Sequence, residues 1–506
     1  MRAALAFLVL MIAAPAWGQT AAPLRERYQA STVAGVVTAA LLFITPRALD
    51  AVSVPQLALW GLRAVTTLDP ALTAELRDGT LVLLRGEQVL FQRAAVQDVP
   101  AAQWGTAIAD LIGAAWAASP SVRQAGTQGC ITSFFEELFN HLDPYSRYMP
   151  PDAAEADRTR RSGEAGPGLQ VNRRGTAFVV TGLNQDGPAA EAGIRVGDRI
   201  EAVDDQPVRG ETLDTVLDML SGIEGTEMTL MVRGRDGQAR LVDLERAVVP
   251  PETVFASRSG DLLLIRITGF SRDTDQRLAR ELQRFLSGPQ TRTIRGVVLD
   301  LRGNRGGLLR QAVAATNMLL DTGTVATTAG RNPLASHEWQ AGTGDVAEGR
   351  PLVVLVDGRS ASAAEIMAAA LADQGRAVVA GSSTLGKGLV QTILTLPDGG
   401  ELFVSWSRVL APQGWPIQGL GVLPQVCTSL GADNLAQQLA SLAHGELRMA
   451  AALGRHRAAR APLPAAEIVE MRAACPAAEG RDVDLATARS LLARPGSYNA
   501  ARLLPP

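Results

Sequence analysis

Two short runs that are apolar at nearly every position constrain this chain more than any other feature. They are "GVVLDL" at 296–301 and "LVVLV" at 352–356, and segments with the three- and four-residue spacing of amphipathic helices alternate with them. Strands that are apolar on both faces are typical of a parallel sheet covered by helices on its two sides. We therefore predict an α/β domain over 255–427, with its functional residues in loops at the carboxyl ends of the strands.

The remaining sequence changes character at three points. Residues 20–150 have mainly helical spacing, and residues 160–250 have short alternating strands, turns and one helix. Residues 428–506 are rich in Ala and Leu, and we predict a helical extension there without recognisable chemistry. A length of 506 residues fits several domains, and a net charge of -3 gives no basic surplus that would indicate a nucleic-acid partner.

The first eighteen residues have the pattern of a secretory signal peptide. Arg2 precedes an apolar run over 3–14, Pro15 breaks the run, and Ala16 and Gly18 are small residues at the positions that a signal peptidase reads. The run is shorter than a bilayer span, which argues against a membrane anchor. We predict cleavage after Gly18 and a periplasmic or secreted protein. A second apolar segment, 32–45, is also too short to cross, and we interpret it as a buried helix.

Three cysteines, Cys130, Cys427 and Cys475, leave two interpretations open. In an oxidising compartment one pair can form a disulfide, and Cys427 with Cys475 is the favoured pair because both follow the predicted sheet. Inert, buried thiols are an equally good interpretation of the sequence alone.

Two loops that leave the apolar strands contain the groups for acyl transfer. "DLRGNRGG" (300–307) exposes backbone N–H groups, and "DGRSASAAEI" places Ser360 and Ser362 at a helix start. Backbone donors beside a serine at a helix N-terminus are suited to hold an oxyanion. Considered separately, each loop has a simpler interpretation, since serine commonly caps helices and glycine commonly makes turns.

The chain contains a single lysine, Lys387, among 48 basic residues. A serine nucleophile needs a base, and a desolvated lysine amine can lose its proton whereas a guanidinium cannot. Lys387 lies between two glycines before an apolar strand, which predicts a partly buried loop with close backbone approach. One surface lysine retained by chance is the alternative that a single sequence leaves open.

Other catalytic classes find no support in the sequence. The four histidines lie in no G-x-S-x-G or metal-binding pattern, and no P-loop or dinucleotide fingerprint occurs. We therefore expect neither a metal nor a cofactor. The histidines are His141, His337, His444 and His456.

The segment "RSASAAEIMAAALADQGRAVVAGSSTLGKGLVQT" resembles the active-site region of the carboxyl-terminal processing proteases, a Ser-Lys peptidase family. Lys387 follows Ser362 by 25 residues, which matches the family spacing and selects Ser362 over Ser360. "LDPYSRYM", "GPAAEAGIRVGDRIEAVDDQPV", "DLRGNRGGLL" and "PIQGLGVLPQV" are similar to further family segments, the second to a PDZ core. Arg305 stands where the family frequently has Pro.

The resemblance implies specific roles. Ser362 would be the nucleophile, Lys387 the general base, and Gln391 the group that orients Lys387. The oxyanion donors would be the N–H of Ala363 and of Gly306 or Gly307. A PDZ groove near Gly168, Leu169, Gln170 and Val171 would bind a peptide carboxyl terminus by strand addition. Asp300 and Arg302 are interpreted as a turn-stabilising pair, and Glu365 as either an active-site contact or a helix-dipole partner.

The resemblance also implies a fold and an activity. The expected fold is a crotonase-like or ClpP-like α/β catalytic domain with an inserted or preceding PDZ β domain. The expected activity is that of a secreted serine endopeptidase that cleaves proteins near their C-termini, with apolar tails recognised by the PDZ domain. The alternative is a catalytically inactive, peptide-binding scaffold. The sequence leaves the substrate, the oligomeric state and any adaptor protein open.

Overall fold

The computed structural model describes residues 27–94, 100–162, 164–184, 187–287, 293–342 and 344–504. The predicted signal peptide, 1–18, lies outside these residues. The described chain divides into two compact units. One comprises the residues up to 38 together with 58–137, and the other comprises 39–57 and the residues from 138 onwards.

Among the described residues up to 139, the structure is helical apart from one antiparallel sheet. The second apolar segment of the sequence forms the predicted helix, and Val33, Val36 and Leu41 along it are fully buried. Strands β2 and β3 form an antiparallel hairpin within this mainly helical region, and β1 pairs along the other side of β2. The sequence did not indicate β1 because its residues, "LTAELR", are half polar. The elements are α1 (Ala30–Ile44), α2 (Val54–Leu62), α3 (Ala64–Leu68), β1 (Leu72–Arg77), β2 (Thr80–Arg85), β3 (Gln88–Ala94), α4 (Ala101–Ala118) and α5 (Pro120–Phe139).

A small β domain follows a short strand and a helix. Its sheet has the strand order β11-β10-β8-β7-β6, so β6 is an edge strand. Apolar side chains that alternate along these strands, such as Phe178, Leu230 and Val232, form its core with α8. The elements are β4 (Arg147–Met149), α6 (Pro151–Ser162), β5 (Glu164–Gly166), β6 (Leu169–Arg174), β7 (Ala177–Leu183), α7 (Pro188–Glu191), β8 (Arg199–Val203), β9 (Gln206–Pro207), α8 (Leu213–Leu220), β10 (Glu227–Arg233), β11 (Ala239–Glu245) and β12 (Ala247–Val249).

The two apolar runs are neighbouring central strands, β15 and β18, of a sheet with the order β13-β14-β15-β18-β19-β22. The sheet is parallel except for β13, which is antiparallel to β14. The α/β fold class is therefore confirmed. The elements are β13 (Val254–Ser259), β14 (Leu262–Ile267), α9 (Thr274–Leu286), β15 (Gly296–Asp300), α10 (Leu309–Asn317), β16 (Gly323–Ala329), a 3-10 helix (Pro333–Ala335), β17 (His337–Ala341), β18 (Leu352–Val356), α11 (Ala363–Asp373), β19 (Val378–Gly381), β20 (Leu389–Thr395), β21 (Glu401–Leu410) and β22 (Val426–Cys427).

A second sheet shows that the β domain is inserted into the α/β domain. Its strand order is β17-β16-β21-β20, and β4 pairs antiparallel with β21. Because β4 precedes the β domain in the chain and β21 follows it, the chain leaves the α/β domain and returns to it. The strands β5 and β12 pair with each other where the chain enters and leaves the inserted domain.

The C-terminal helices complete the α/β core. Helices α9, α10 and α11 cover one face of the parallel sheet. On the other face Leu435, Leu491 and Tyr498 pack against strand residues that include Val298 and Val353. The extension is thus one layer of the α/β sandwich. Its helices are α12 (Ala432–Ala443), α13 (Ala450–Ala458), α14 (Ala465–Arg472), α15 (Asp482–Leu492) and α16 (Pro495–Ala501).

No described helix combines the length and the hydropathy that a bilayer span requires.

Candidate active site

Ser362 begins α11 immediately after the turn that follows β18. Its backbone has φ 57° and ψ −116°, a strained conformation for a residue with a side chain, and such strain is concentrated at functional sites. Ser360, by contrast, is fully buried, and its hydroxyl donates a 2.8 Å hydrogen bond to the Leu301 carbonyl oxygen. Ser362 lines a cavity whose lining does not include Ser360, and the hydrogen bond of Ser360 assigns it to stabilising the turn.

Glu365 connects the helix of Ser362 with the loop of Lys387. Its side chain is fully buried, and burial raises its pKa. The carboxylate accepts four hydrogen bonds, from Ser362 N (2.7 Å), Thr384 Oγ1 (2.5 Å), Gly386 N (2.6 Å) and Lys387 N (2.9 Å). One side chain therefore fixes the backbone of both residues of the predicted dyad. The sequence left Glu365 as either an active-site contact or a helix-dipole partner, and these hydrogen bonds favour the first interpretation.

Lys387 is half-buried in the loop between β19 and β20. Desolvation lowers the pKa of its amine, the nearby charge of Arg147 lowers it further, and Glu365 opposes both effects. The amine nitrogen Nζ lies 5.1 Å from the centroid of the Tyr145 ring. The predicted close backbone approach occurs at Gly388, where a Cβ would lie 2.2 Å from Gln418 N. The environment thus favours the neutral amine more than water does.

Gln391 and Lys387 both contact Tyr145. The side-chain amide Nε2 of Gln391 donates a 2.5 Å hydrogen bond to the Tyr145 carbonyl oxygen, and no hydrogen bond between described atoms joins Gln391 to the Lys387 amine. Asp143 holds this turn, because it accepts hydrogen bonds from Tyr145 N and Ser405 Oγ at 3.0 and 2.6 Å. Sequence reasoning missed Tyr145, although "LDPYSRYM" contains it.

The glycine turn after β15 approaches Ser362 closely. A Cβ on Gly306, whose φ is 98°, would lie 2.8 Å from the Ser362 Cβ and 3.1 Å from Ala363 N. The Gly306 N–H donates to Asn304 Oδ1 at 2.8 Å. Among the described residues, the N–H groups of Gly307 and Ala363 have no hydrogen-bond partner. Of the two glycine alternatives, this geometry favours Gly307 as an oxyanion donor.

Asp300 and Arg302 form the turn-stabilising pair that the sequence predicted. Arg302 Nε and Nη2 donate to the two oxygens of Asp300 at 2.9 and 2.8 Å. Arg302 also donates to the Arg481 carbonyl oxygen, 2.7 Å away in the C-terminal extension. These bonds raise the pKa of Arg302, so its charge is permanent.

One cavity of about 480 Å³ contains the predicted catalytic groups. Its wall includes Ile366, Leu389 and Val409, so an apolar side chain fits beside the reacting groups. Among the described residues no carboxylate lines it, and no three His, Cys, Asp or Glu side chains cluster as metal ligands would. The predicted site residues in its lining are Ser362, Ala363, Lys387, Gln391, Gly306 and Gly307.

A second cavity, of about 190 Å³, lies between β6 and α8 of the inserted domain. Gly168, Leu169 and Gln170 line it, together with Leu217 and other residues. Val171, the fourth residue predicted for the groove, does not line this cavity. Its side chain is 8% exposed and packs in the domain core, so only its backbone faces the role predicted for it, the addition of a peptide strand.

The C-terminal extension stabilises the loop of Lys387, which sequence reasoning missed. Arg472 Nη2 donates to the Thr384 carbonyl oxygen at 2.8 Å, and Nη1 donates to the Leu420 carbonyl oxygen at 2.6 Å. Three residues further along, Cys475 forms a disulfide bond with Cys427, with a Cα–Cα distance of 5.8 Å. The bond forms between the favoured pair, and the buried Cys130 takes part in no disulfide.

The α/β domain and the inserted β domain each match the model of a known protein family. Residues 261–428 match the model of peptidase family S41, and residues 179–234 match a PDZ domain. A carboxy-terminal-processing protease of Bartonella bacilliformis is 35% identical over 302 residues, which cover 59% of this chain and 69% of that protein. The carboxy-terminal processing protease CtpA of Bacillus subtilis is 32% identical over 298 residues, 57% of this chain and 61% of that protein.

Among solved structures, the photosystem II D1 C-terminal processing protease is 26% identical and has a TM-score of 0.36. The match covers 75% of this chain and 98% of that one.

Proposed function

Because the chain belongs to peptidase family S41, with the carboxy-terminal processing proteases, and carries a PDZ domain, we propose that it is a secreted serine endopeptidase with a Ser-Lys dyad. The observation that carries this proposal is the Glu365 carboxylate, which accepts hydrogen bonds from the backbone N–H of both Ser362 and Lys387. A scaffold that only binds peptides has no need for a buried carboxylate that fixes these two residues together.

The proposed mechanism is acyl transfer in two halves. Ser362 Oγ attacks the scissile carbonyl carbon while its proton passes to the neutral Lys387 amine. The N–H groups of Ala363 and Gly307 donate to the oxyanion. The carbon–nitrogen bond then breaks, and Lys387 returns the proton to the leaving amine. Water hydrolyses the resulting ester by the same proton transfers. Gln391 acts on Lys387 through Tyr145, which both residues contact.

The substrate end is proposed to bind the inserted domain. Strand β6 is at the edge of its sheet and pairs only with β7 among the described strands, so its outer backbone groups are open to an added strand. Leu169 and Leu217 beside this edge suit an apolar tail. Secretion is supported by the Cys427–Cys475 bond, since disulfides persist in oxidising compartments.

The test is incubation of the purified chain with an unstructured polypeptide that ends in apolar residues and a free carboxylate. Mass spectrometry should find internal cleavage by the wild-type protein and none by Ser362→Ala. The same polypeptide with an amidated end should be cleaved more slowly, because the PDZ groove then lacks its carboxylate. Intact polypeptide with both proteins would contradict the proposal.

The pH dependence of cleavage should report the charge of Arg147. Lys387 must be neutral to act, so kcat/KM rises with pH through the pKa of Lys387. Since Arg147 lowers that pKa, Arg147→Gln should raise it and move the rising limb to higher pH. Activity then falls near neutral pH and recovers on the alkaline plateau.

The matched control for this experiment is Arg147→Lys, which keeps the positive charge and should keep the midpoint of the limb. An equal loss of activity at every pH in Arg147→Gln, with an unmoved midpoint, would show that Arg147 acts through packing.

A further inference from the structure

A third cavity lies beside the catalytic one. Its volume is about 380 Å³, and it shares Leu308, Leu309 and Val390 with the catalytic cavity. Trp339 and Trp406 provide large apolar surfaces in its lining. The shared wall makes the two cavities parts of one groove, so a polypeptide held at Ser362 can extend into the third cavity.

The charged side chains that line the two cavities of this groove are basic, and no acidic side chain among the described residues lines either cavity. Arg272 and Arg310 line the third cavity, and Arg305 lines the catalytic one. All three side chains are exposed, and in the described part of the chain none forms an ion pair.

Two acidic residues that adjoin lining residues in the sequence, Asp273 and Glu338, have hydrogen-bond partners of their own. The Asp273 carboxylate accepts a 2.5 Å hydrogen bond from Arg277 Nε. The Glu338 carboxylate accepts from Gln340 Nε2 at 2.5 Å. Among the described residues neither carboxylate forms an ion pair with Arg272 or Arg310, so these two positive charges are available to an incoming anionic group.

We infer that the third cavity is a substrate subsite for a polypeptide segment that carries an acidic side chain next to a large apolar one. This inference rests on the proposed peptidase function. The two tryptophans offer surface to the apolar side chain, and the planar guanidinium groups of Arg272 and Arg310 match the geometry of a carboxylate. A concave site that shares a wall with the catalytic cavity favours a segment of the substrate over a membrane surface.

The experiment uses the full chain and a series of peptides that differ at one position. Glu, Gln or Lys is placed in turn at each position on both sides of the cleaved bond, next to a Leu or Phe. At one position kcat/KM should be about fivefold higher for Glu than for Gln, and lower still for Lys. Addition of salt should reduce the difference, because exposed charges are screened.

Charge reversal gives the decisive comparison. In the Arg272→Glu and Arg310→Glu variants the order of kcat/KM among the three peptides should reverse at that same position, so that the Lys peptide becomes a better substrate than the Glu peptide. The control is Arg448→Glu, an exposed arginine outside both cavities, which should leave the order unchanged. Equal cleavage of the three peptides, or an order that charge reversal does not alter, would overturn the inference.

Binding to the Ser362→Ala protein separates this inference from the proposed function. Fluorescence of the two cavity tryptophans can report peptide binding without cleavage. If no peptide is cleaved by the wild type but the Glu peptide binds about fivefold more tightly than the Lys peptide, the subsite stands and the peptidase proposal fails. Equal affinity for the Glu and Lys peptides would contradict the inference of an acidic subsite, whatever the outcome for cleavage.

Discussion

Lys387→Arg is expected to lower kcat for peptide cleavage by on the order of 10³-fold, the usual contribution of a general base. The substitution keeps a positive charge and a long side chain, but a guanidinium does not give up its proton at any pH at which the protein is folded. The loss should therefore persist to alkaline pH. KM should change little, because the groove that holds the substrate is otherwise intact.

The measurement is kcat between neutral and alkaline pH, with thermal unfolding to verify the fold. A suitable control is Arg448→Lys, the reverse exchange at an exposed position outside the active site, which should retain full activity. Activity within a fewfold of the wild type in Lys387→Arg would contradict the assignment of Lys387 as the base. The single lysine of the sequence would then be a retained surface residue.

Loss of the Cys427–Cys475 bond is expected to lower the free energy of unfolding by about 4 kcal/mol. The bond joins residues 48 positions apart, and closure of a loop of that length restricts the unfolded chain by about this amount. Cleavage should also slow, because the segment that the bond fixes includes Arg472, which supports the loop of Lys387.

Denaturant unfolding of the wild type and of a Cys427→Ser, Cys475→Ser double variant tests this expectation. Reductant should destabilise the wild type to the level of the variant and should leave the variant unchanged. If the variant is as stable and as active as the wild type, the bond adds nothing to this part of the fold. Cys130→Ala is the control for the remaining cysteine, which is buried and forms no disulfide.

Local patterns in the sequence were sufficient to predict the central architecture. The strands β15 and β18 are apolar at nearly every position because helices cover both faces of the sheet, and this burial is visible in the residues themselves. The spacing of Ser362 and Lys387 within one family motif indicated a shared site, and both line one cavity.

Contacts between distant segments were beyond prediction from the sequence. Gln391 and Tyr145 are 246 positions apart, and Arg472 and Thr384 are 88 apart, so no local spacing signals either pair. The choice of Gly307 over Gly306 depends on the Asn304 side chain, which occupies the Gly306 N–H.

The position of Arg472 has a consequence for the biosynthesis of the enzyme. Ser362 and Lys387 are made well before the segment that supports them, since Arg472 binds the Thr384 carbonyl oxygen from 88 residues further along. A chain still emerging from the ribosome therefore carries Ser362 and Lys387 without this support. The Lys387 loop acquires its full support only after most of the chain has emerged, so an incomplete chain should be less able to cut its neighbours.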